Sequence, residues 1–209
     1  MRYLVIVLLT VFSFAELQGS SAQCHAYFSS QDALESCLVD LIDQEEKSIK
    51  VAIYQLTHYS IAKALIRAKK RGVRVEVLID PASIRARSSV KRLVENSVSV
   101  SVWDYQLSTS VRKPLKRMKP LMHDKFVIFG EDLVWTGSFN FTNNGAMRNQ
   151  ENAVTIKNRE IARQFNNHFL HMKERESRPF AEYMTLYPKK GKERKSPTRY
   201  AERDFGGSK

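Results

Sequence analysis

His123-Asp124-Lys125, then Gly137-Ser138-Phe139-Asn140 after eleven intervening residues, then Glu151-Asn152, is the stretch of this sequence richest in reactive side chains. On a strand, residues two apart point the same way, so His123 and Lys125 share a face. An imidazole beside an ammonium suits attack on a phosphoester: the ring serves as nucleophile or acid, and the cation holds a phosphate oxygen. Ser138 and Asn140 repeat the two-residue spacing and add neutral donors for non-bridging oxygens. Glu151 is placed to accept the proton of the second ring nitrogen, which leaves a lone pair on the reacting one. His168 and His171, three apart, lack an accompanying carboxylate pattern and read as helix surface or packing, not as a metal site.

The elements that must position these groups follow from periodicity. Ser29 with Asp32 reads as a capping box for a helix from about residue 31 to 47, with Leu34, Leu38, Leu41 and Ile42 as its apolar stripe. Ser48 to Leu56 and Val73 to Asp80 read as strands, separated by a helix that Ser60 opens and Gly72 ends. A helix around Ser88 to Asn96 and a strand at Val98 to Asp104 continue a β-α-β-α-β order. This predicts an α/β fold with a mixed, largely parallel sheet flanked by helices. Residues 126–129 and 133–136 read as a hairpin around Gly130-Glu131-Asp132, residues 152–156 as a strand and residues 159–175 as a closing helix. Between them, residues 105–122 form a basic loop carrying Arg112, Lys113, Lys116, Arg117 and Lys119, tethered to His123 and placed to bring phosphate-binding charge to the cleft.

Length and charge bound the rest. The chain has 209 residues, 43% of them hydrophobic, enough for one core, with 34 Lys+Arg against 22 Asp+Glu and a net charge of +12. Collagen-like, coiled-coil and wholly disordered chains are excluded. The charge favours an anionic partner: nucleic acid, phospholipid headgroups or an acidic envelope polymer. Arg2 followed by the uncharged run Tyr3 to Phe14 and by Ser20-Ser21-Ala22 reads as a signal peptide over residues 1–22, implying a secreted or periplasmic protein. An uncleaved membrane anchor is the alternative, although the run is shorter than a bilayer span. In an oxidising compartment Cys24 and Cys37 are candidates for one disulfide between an N-terminal strand and the first helix. The organisation expected is a signal at 1–22, a catalytic domain at 23–175 and a basic, disordered tail at 176–209.

His123-x-Lys125 followed by Gly137-Ser138-x-Asn140 resembles the HKD signature of the phospholipase D superfamily. The short chain, the single motif, the Tyr27-Phe28-Ser29 opening and the strand Gly72 to Asp80 resemble its Nuc-type bacterial endonucleases and the related mitochondrial cardiolipin hydrolases. The resemblance covers about residues 26 to 172 and implies a catalytic set of His123, Lys125 and Glu151, with Ser138 and Asn140 on the substrate phosphate. It implies a two-step displacement through a phosphohistidine, with no metal and no cofactor. Because two histidines are needed and one motif is present, it implies a homodimer with the site on its two-fold axis. His58 falls near where family members line the substrate mouth, a candidate substrate contact. One position departs: the family's acidic residue five places after the motif lysine is Gly130 here, so Asp132 takes that part or the part is absent. The function expected is an endonuclease on DNA or RNA. The alternatives are a phospholipase D acting on phospholipid headgroups, and an inactive basic homologue that binds nucleic acid or membrane.

Overall fold

Alternation along the central strand sets the two layers of the core. In β2 (Ser48–Ile53) the side chains of Ile49, Val51 and Ile53 enter one apolar cluster, while Ala52 enters another on the opposite face. The computed structural model describes residues 22–84, 89–108 and 119–188 of the chain. The first cluster lies under α1 (Leu34–Gln44), α2 (Tyr59–Lys70) and α3 (Val90–Glu95); the second lies under α5 (Arg159–Arg175). Each helix presents the stripe its spacing demands: Leu34, Leu38 and Ile42 on α1, and Ile61, Ala64, Leu65 and Ala68 on α2. Burial of one such leucine or isoleucine is worth about 1.5–3 kcal/mol. Gly72, at φ +95°, ends α2 in the left-handed conformation that its lack of a Cβ permits.

One eight-stranded sheet runs β1-β7-β6-β5-β2-β3-β4-β8, with β1 (Gln23–Phe28), β3 (Arg74–Ile79), β4 (Ser99–Trp103), β5 (Lys125–Phe129), β6 (Leu133–Gly137), β7 (Asn152–Lys157) and β8 (Ser177–Pro179). The sheet is mixed and helix-flanked as expected, but not largely parallel. Only the β2-β3 and β3-β4 pairings are parallel. After β4 the chain re-enters antiparallel beside β2, turns tightly into β6, and then adds β7, and short turns of this kind join only antiparallel neighbours. β1 closes one edge by pairing antiparallel with β7.

Structure also continues past residue 175. β8 pairs with β4, and α6 (Phe180–Leu186) follows. Polar and apolar contacts hold this segment: buried Asp104 accepts from Arg178 Nε at 2.9 Å and from the Tyr187 hydroxyl at 3.2 Å, buried Glu176 accepts from Trp103 Nε1 at 3.1 Å, and Phe180 and Tyr183 pack half-buried against the core. α6 buries no residue fully. The expected disordered tail is thus corrected for residues 176–188; residues 189–209 lie outside the described residues, as does the expected signal up to residue 21.

Cys24 and Cys37 are free thiols rather than a disulfide. Tyr27 and Cys37 pack against the α1-side core, and alternation along β1 turns Cys24, three residues from Tyr27, to the other side of the sheet. The capping box is corrected too: α1 has no side-chain cap. Asp32 instead accepts from Phe28 N at 2.9 Å, and Ser29 is used elsewhere. Among the described residues no helix is long and apolar enough to cross a membrane.

Candidate active site

Lys125 opens β5, with Ile53 of β2 opposite it, while Gly137 ends β6 opposite Ala153 of β7. The carboxyl ends of β2 and β3 reach the same edge, so five strands converge there. His123 stands just ahead of β5. Lys125 Nζ lies 3.2 Å from His123 Nδ1 and 3.3 Å from Nε2, and donates to the His123 carbonyl at 2.8 Å. The Tyr54 ring, directly after β2, lies 4.7 Å from the His123 ring and 5.6 Å from the Lys125 ammonium. An imidazole and an ammonium thus share one face beside an aromatic wall, as the spacing predicted. Burial pushes the Lys125 ammonium below its ordinary value, opposed by the negative charges of Glu151 and Asp124.

Glu151 is held differently from expectation. Its carboxylate accepts from Ser138 Oγ at 2.5 Å and from Asn149 Nδ2 at 2.9 Å, not from His123. Its own N–H donates to Ser29 Oγ at 2.9 Å, and that hydroxyl donates to the Asn149 carbonyl at 3.1 Å. Ser138 Oγ also accepts from Asn152 N at 3.0 Å. Within one chain Glu151 therefore orients Ser138 and acts on Lys125 through space. Gly137 makes this convergence possible: a Cβ there would lie 2.3 Å from the Asn152 carbonyl oxygen. Asn140 keeps its amide oxygen buried, without a hydrogen-bond partner among the described residues. Gly145 packs directly on it, since a Cβ at 145 would come within 2.5 Å of the Asn140 carbonyl.

Several positioning groups escaped the sequence reading. Asp80, buried at the end of β3, accepts from Met122 N at 2.9 Å and from Ala82 N at 2.7 Å, fixing the residue before His123. Burial pushes its carboxyl up, against those two amides and the nearby His123. The buried Ser83 hydroxyl donates to the Tyr54 carbonyl at 2.9 Å and accepts from Leu56 N at 3.0 Å, pinning the loop that carries Tyr54. An acid ending an apolar strand was a usable signal for Asp80. Ser83 and Ser29 carried none, because their partners are distant in sequence.

His58, the candidate substrate contact, is packed between elements. It is buried at the start of α2, its Nδ1 3.7 Å from Glu35 of α1, and its N–H donates to the Phe141 carbonyl. Lys119 is exposed; Arg112, Lys113, Lys116 and Arg117 lie outside the described residues. His168 Nε2 pairs with Asp124 at 3.0 Å, a hydrogen bond that raises the imidazole above its ordinary value, and His171 pairs with Glu176 at 3.6 Å. His123, Asp124 and His168, with Trp103, Leu121 and Met122, line a cavity of about 390 Å³. Among the described residues no group of three or more His, Cys, Asp or Glu is arranged to hold a metal ion.

Gly130 sits at φ +55° in the β5-β6 turn, at the far end of the strand from Lys125. A Cβ there would lie 3.6 Å from the Glu45 carboxylate, which accepts from Lys47 N at 2.7 Å and Ser48 N at 3.0 Å. Glu45 thus fills, from the α1-β2 turn, the space an acidic residue at 130 would enter. Asp132 does not: it is exposed, and its carbonyl accepts from Asn158 N.

The family model described as "Cardiolipin synthase, PLD-like domain" matches residues 38–173. The chain belongs to the phospholipase D-like family. Among its relatives, proteins named phospholipase D from Rickettsia felis and Rickettsia conorii are 30% and 29% identical over 137 residues, 65% of this chain and 62% of theirs. The chain therefore matches less than two thirds of the length of these relatives. A mitochondrial cardiolipin hydrolase of Xenopus tropicalis is 27% identical over 70% of this chain and 64% of its own. Among solved structures, the phospholipase D family member Nuc of Salmonella typhimurium superposes with a TM-score of 0.65 at 29% identity, covering 77% of this chain and 99% of Nuc. NucT of Helicobacter pylori shares the fold, with a TM-score of 0.66 at 23% identity. The phospholipase D-like fold is thus common to these chains.

Proposed function

We propose that this chain is a metal-independent phosphodiesterase that cleaves nucleic acid, with His123 as its nucleophile. The observation carrying this reading is the His123 ring tilted against Tyr54, centroids 4.7 Å apart, with the Lys125 ammonium 3.2 Å from Nδ1. The imidazole is the one strong neutral nucleophile at this site, and the ammonium beside it is placed to hold a phosphate oxygen. The His123 nitrogen attacks phosphorus, and a P–N bond forms as the P–O bond to the leaving group breaks. The leaving oxygen takes a proton from the partner's His123. That residue then removes a proton from water, the water oxygen attacks phosphorus, and the P–N bond breaks to restore free imidazole. Lys125 and Ser138 meet the non-bridging oxygens, whose charge grows in the transition state. The Asn140 amide N–H adds a further neutral donor for those oxygens.

The homodimer follows from stoichiometry: two histidines act and one motif is present. The net charge of +12 supports a polyanionic substrate. The apolar run Tyr3 to Phe14 supports export from the cytosol, where the chain's own nucleic acid lies.

A second reading, hydrolysis of phospholipid headgroups, draws on Leu121, which is 53% exposed beside Met122 and His123. Incubation of the purified chain in EDTA with plasmid, single-stranded nucleic acid and labelled phospholipid separates the readings. Nucleic acid is expected to be cut, with activity abolished by His123→Ala. Exclusive lipid turnover would establish the second reading, and cleavage surviving the substitution would sink the mechanism.

A further inference from the structure

At the opposite end of the sheet from His123, the N-terminal half of α5 stands off the strands and leaves a cavity of about 660 Å³. Its walls carry five cations, Lys47 and Lys50 from β2 and its approach, Arg74 opening β3, and Arg159 and Arg163 on α5, against one carboxylate, Glu131. Three of these cations are engaged: Arg159 with Glu131 at 2.8 Å, Arg163 with Glu160 at 2.7 Å, and Lys50 Nζ with Asn166 Oδ1 at 2.5 Å. Lys47 and Arg74 are exposed and form no salt bridge with any described residue. Lys50 is the telling residue. It occupies a central strand between the fully buried Ile49 and Val51, and its side chain spans the gap to α5 where an apolar residue would have closed it. The charges of Lys47 and Arg74, unmatched by an ion pair with any described residue, raise the local concentration of anions at this gap.

We propose that this cavity is a second, non-catalytic phosphate site that takes the backbone of a single nucleic-acid strand whose scissile bond lies at His123. The inference rests on the nucleic-acid reading of the active site. A bilayer is disfavoured here, because the only apolar lining residues, Ile128 and Ala162, are themselves buried and offer no exposed rim to enter a membrane. The cavity is of ordinary ligand-site size, and its cations suit several backbone oxygens rather than one base. β5 connects the two sites: Lys125 opens it and Gly130 follows its end, roughly 16 Å apart at the rise of a strand. A long strand bridges that distance and a dinucleotide does not.

The test uses the full chain carrying Lys47→Glu with Arg74→Glu, both exposed and outside the catalytic set, beside Arg74→Lys as the charge-preserving control. In a His123→Ala background, binding of a labelled twenty-nucleotide single strand is measured by anisotropy across a salt series. In the His123-intact chain, hydrolysis of bis(4-nitrophenyl) phosphate is measured. Charge reversal is expected to weaken oligonucleotide binding about tenfold and to flatten the log–log salt slope by about 1.4, the value for two lost phosphate contacts on a single strand. The small diester is hydrolysed unchanged, and Arg74→Lys binds like the parent. Unchanged affinity and slope overturn the proposal, as does loss of binding to phosphatidylglycerol vesicles with oligonucleotide binding intact. If the His123-intact chain hydrolyses no diester while charge reversal still weakens oligonucleotide binding, the catalytic reading fails and the distal site stands.

Discussion

Gly130 shows how one residue can depart from its family's pattern without reaching the chemistry. It lies a full strand from Lys125, in a left-handed turn facing Glu45. Gly130→Asp is therefore expected to destabilise the chain by about 1–2 kcal/mol, from φ strain and like charge, with removal of Glu45 in the same chain recovering part of the loss. Urea midpoints of the single and double variants check this; a more stable Gly130→Asp protein would contradict it. At Lys125 the balance is electrostatic: burial favours the neutral amine, while Glu151 and Asp124 favour the charged one. Glu151→Gln removes one of the opposing charges, so Lys125 loses its proton at lower pH. The alkaline limb of the pH–rate profile is expected to move down, measured as kcat/KM against pH, whatever the change in rate. His123, Lys125 and Ser138 were legible because their spacing is local, although His123 stands just before β5 and Ser138 just after β6. The partners of Glu151 were not, since Ser29 lies 122 positions away and nothing in either neighbourhood announces the pair.

Elements do the positioning, and the strand ends do most of it. Asp80 closes β3 and takes the Met122 N–H, so β3 aims a residue it never touches in sequence. Asp80→Ala leaves two buried donors unmet, at about 1–3 kcal/mol each, and frees the segment before His123. A fall in kcat of about 100-fold is expected, since small misplacement of a reacting group carries that cost. Steady-state kinetics and thermal melts of Asp80→Ala beside Asp80→Asn, which can retain one of the two bonds, test it; unaltered kcat would remove Asp80 from the positioning set. The helices α1, α2, α3 and α5 and the strands β2 to β7 were readable because each buries a stripe of the proper period; α4 (Asn143–Met147), whose one buried residue is Gly145, was not. Pairing direction was not, because the alternation that marks a strand is the same for parallel and antiparallel neighbours. β8 and α6 were missed because their apolar stripe is short, the half-buried Phe180 and Tyr183, and because Asp104, which holds Arg178, lies 74 positions away.

For the whole molecule, the decisive quantity is copy number. If two His123 rings must meet, specific activity falls as the dimer dissociates. Dilution of the enzyme through its dimer dissociation constant is expected to lower turnover per chain, with light scattering reporting mass in parallel; constant specific activity from a pure monomer would exclude the shared site. A different consequence follows from β1, whose partner β7 begins 124 positions beyond it and whose closing Ser29 tethers Glu151. Growing from its N-terminus, the polypeptide holds β1 as an unmatched ribbon until almost the entire domain has appeared, a pairing of high contact order. The reactive centre is consequently complete only once β7 has joined the sheet. A chain that stalls before β7 carries no competent centre.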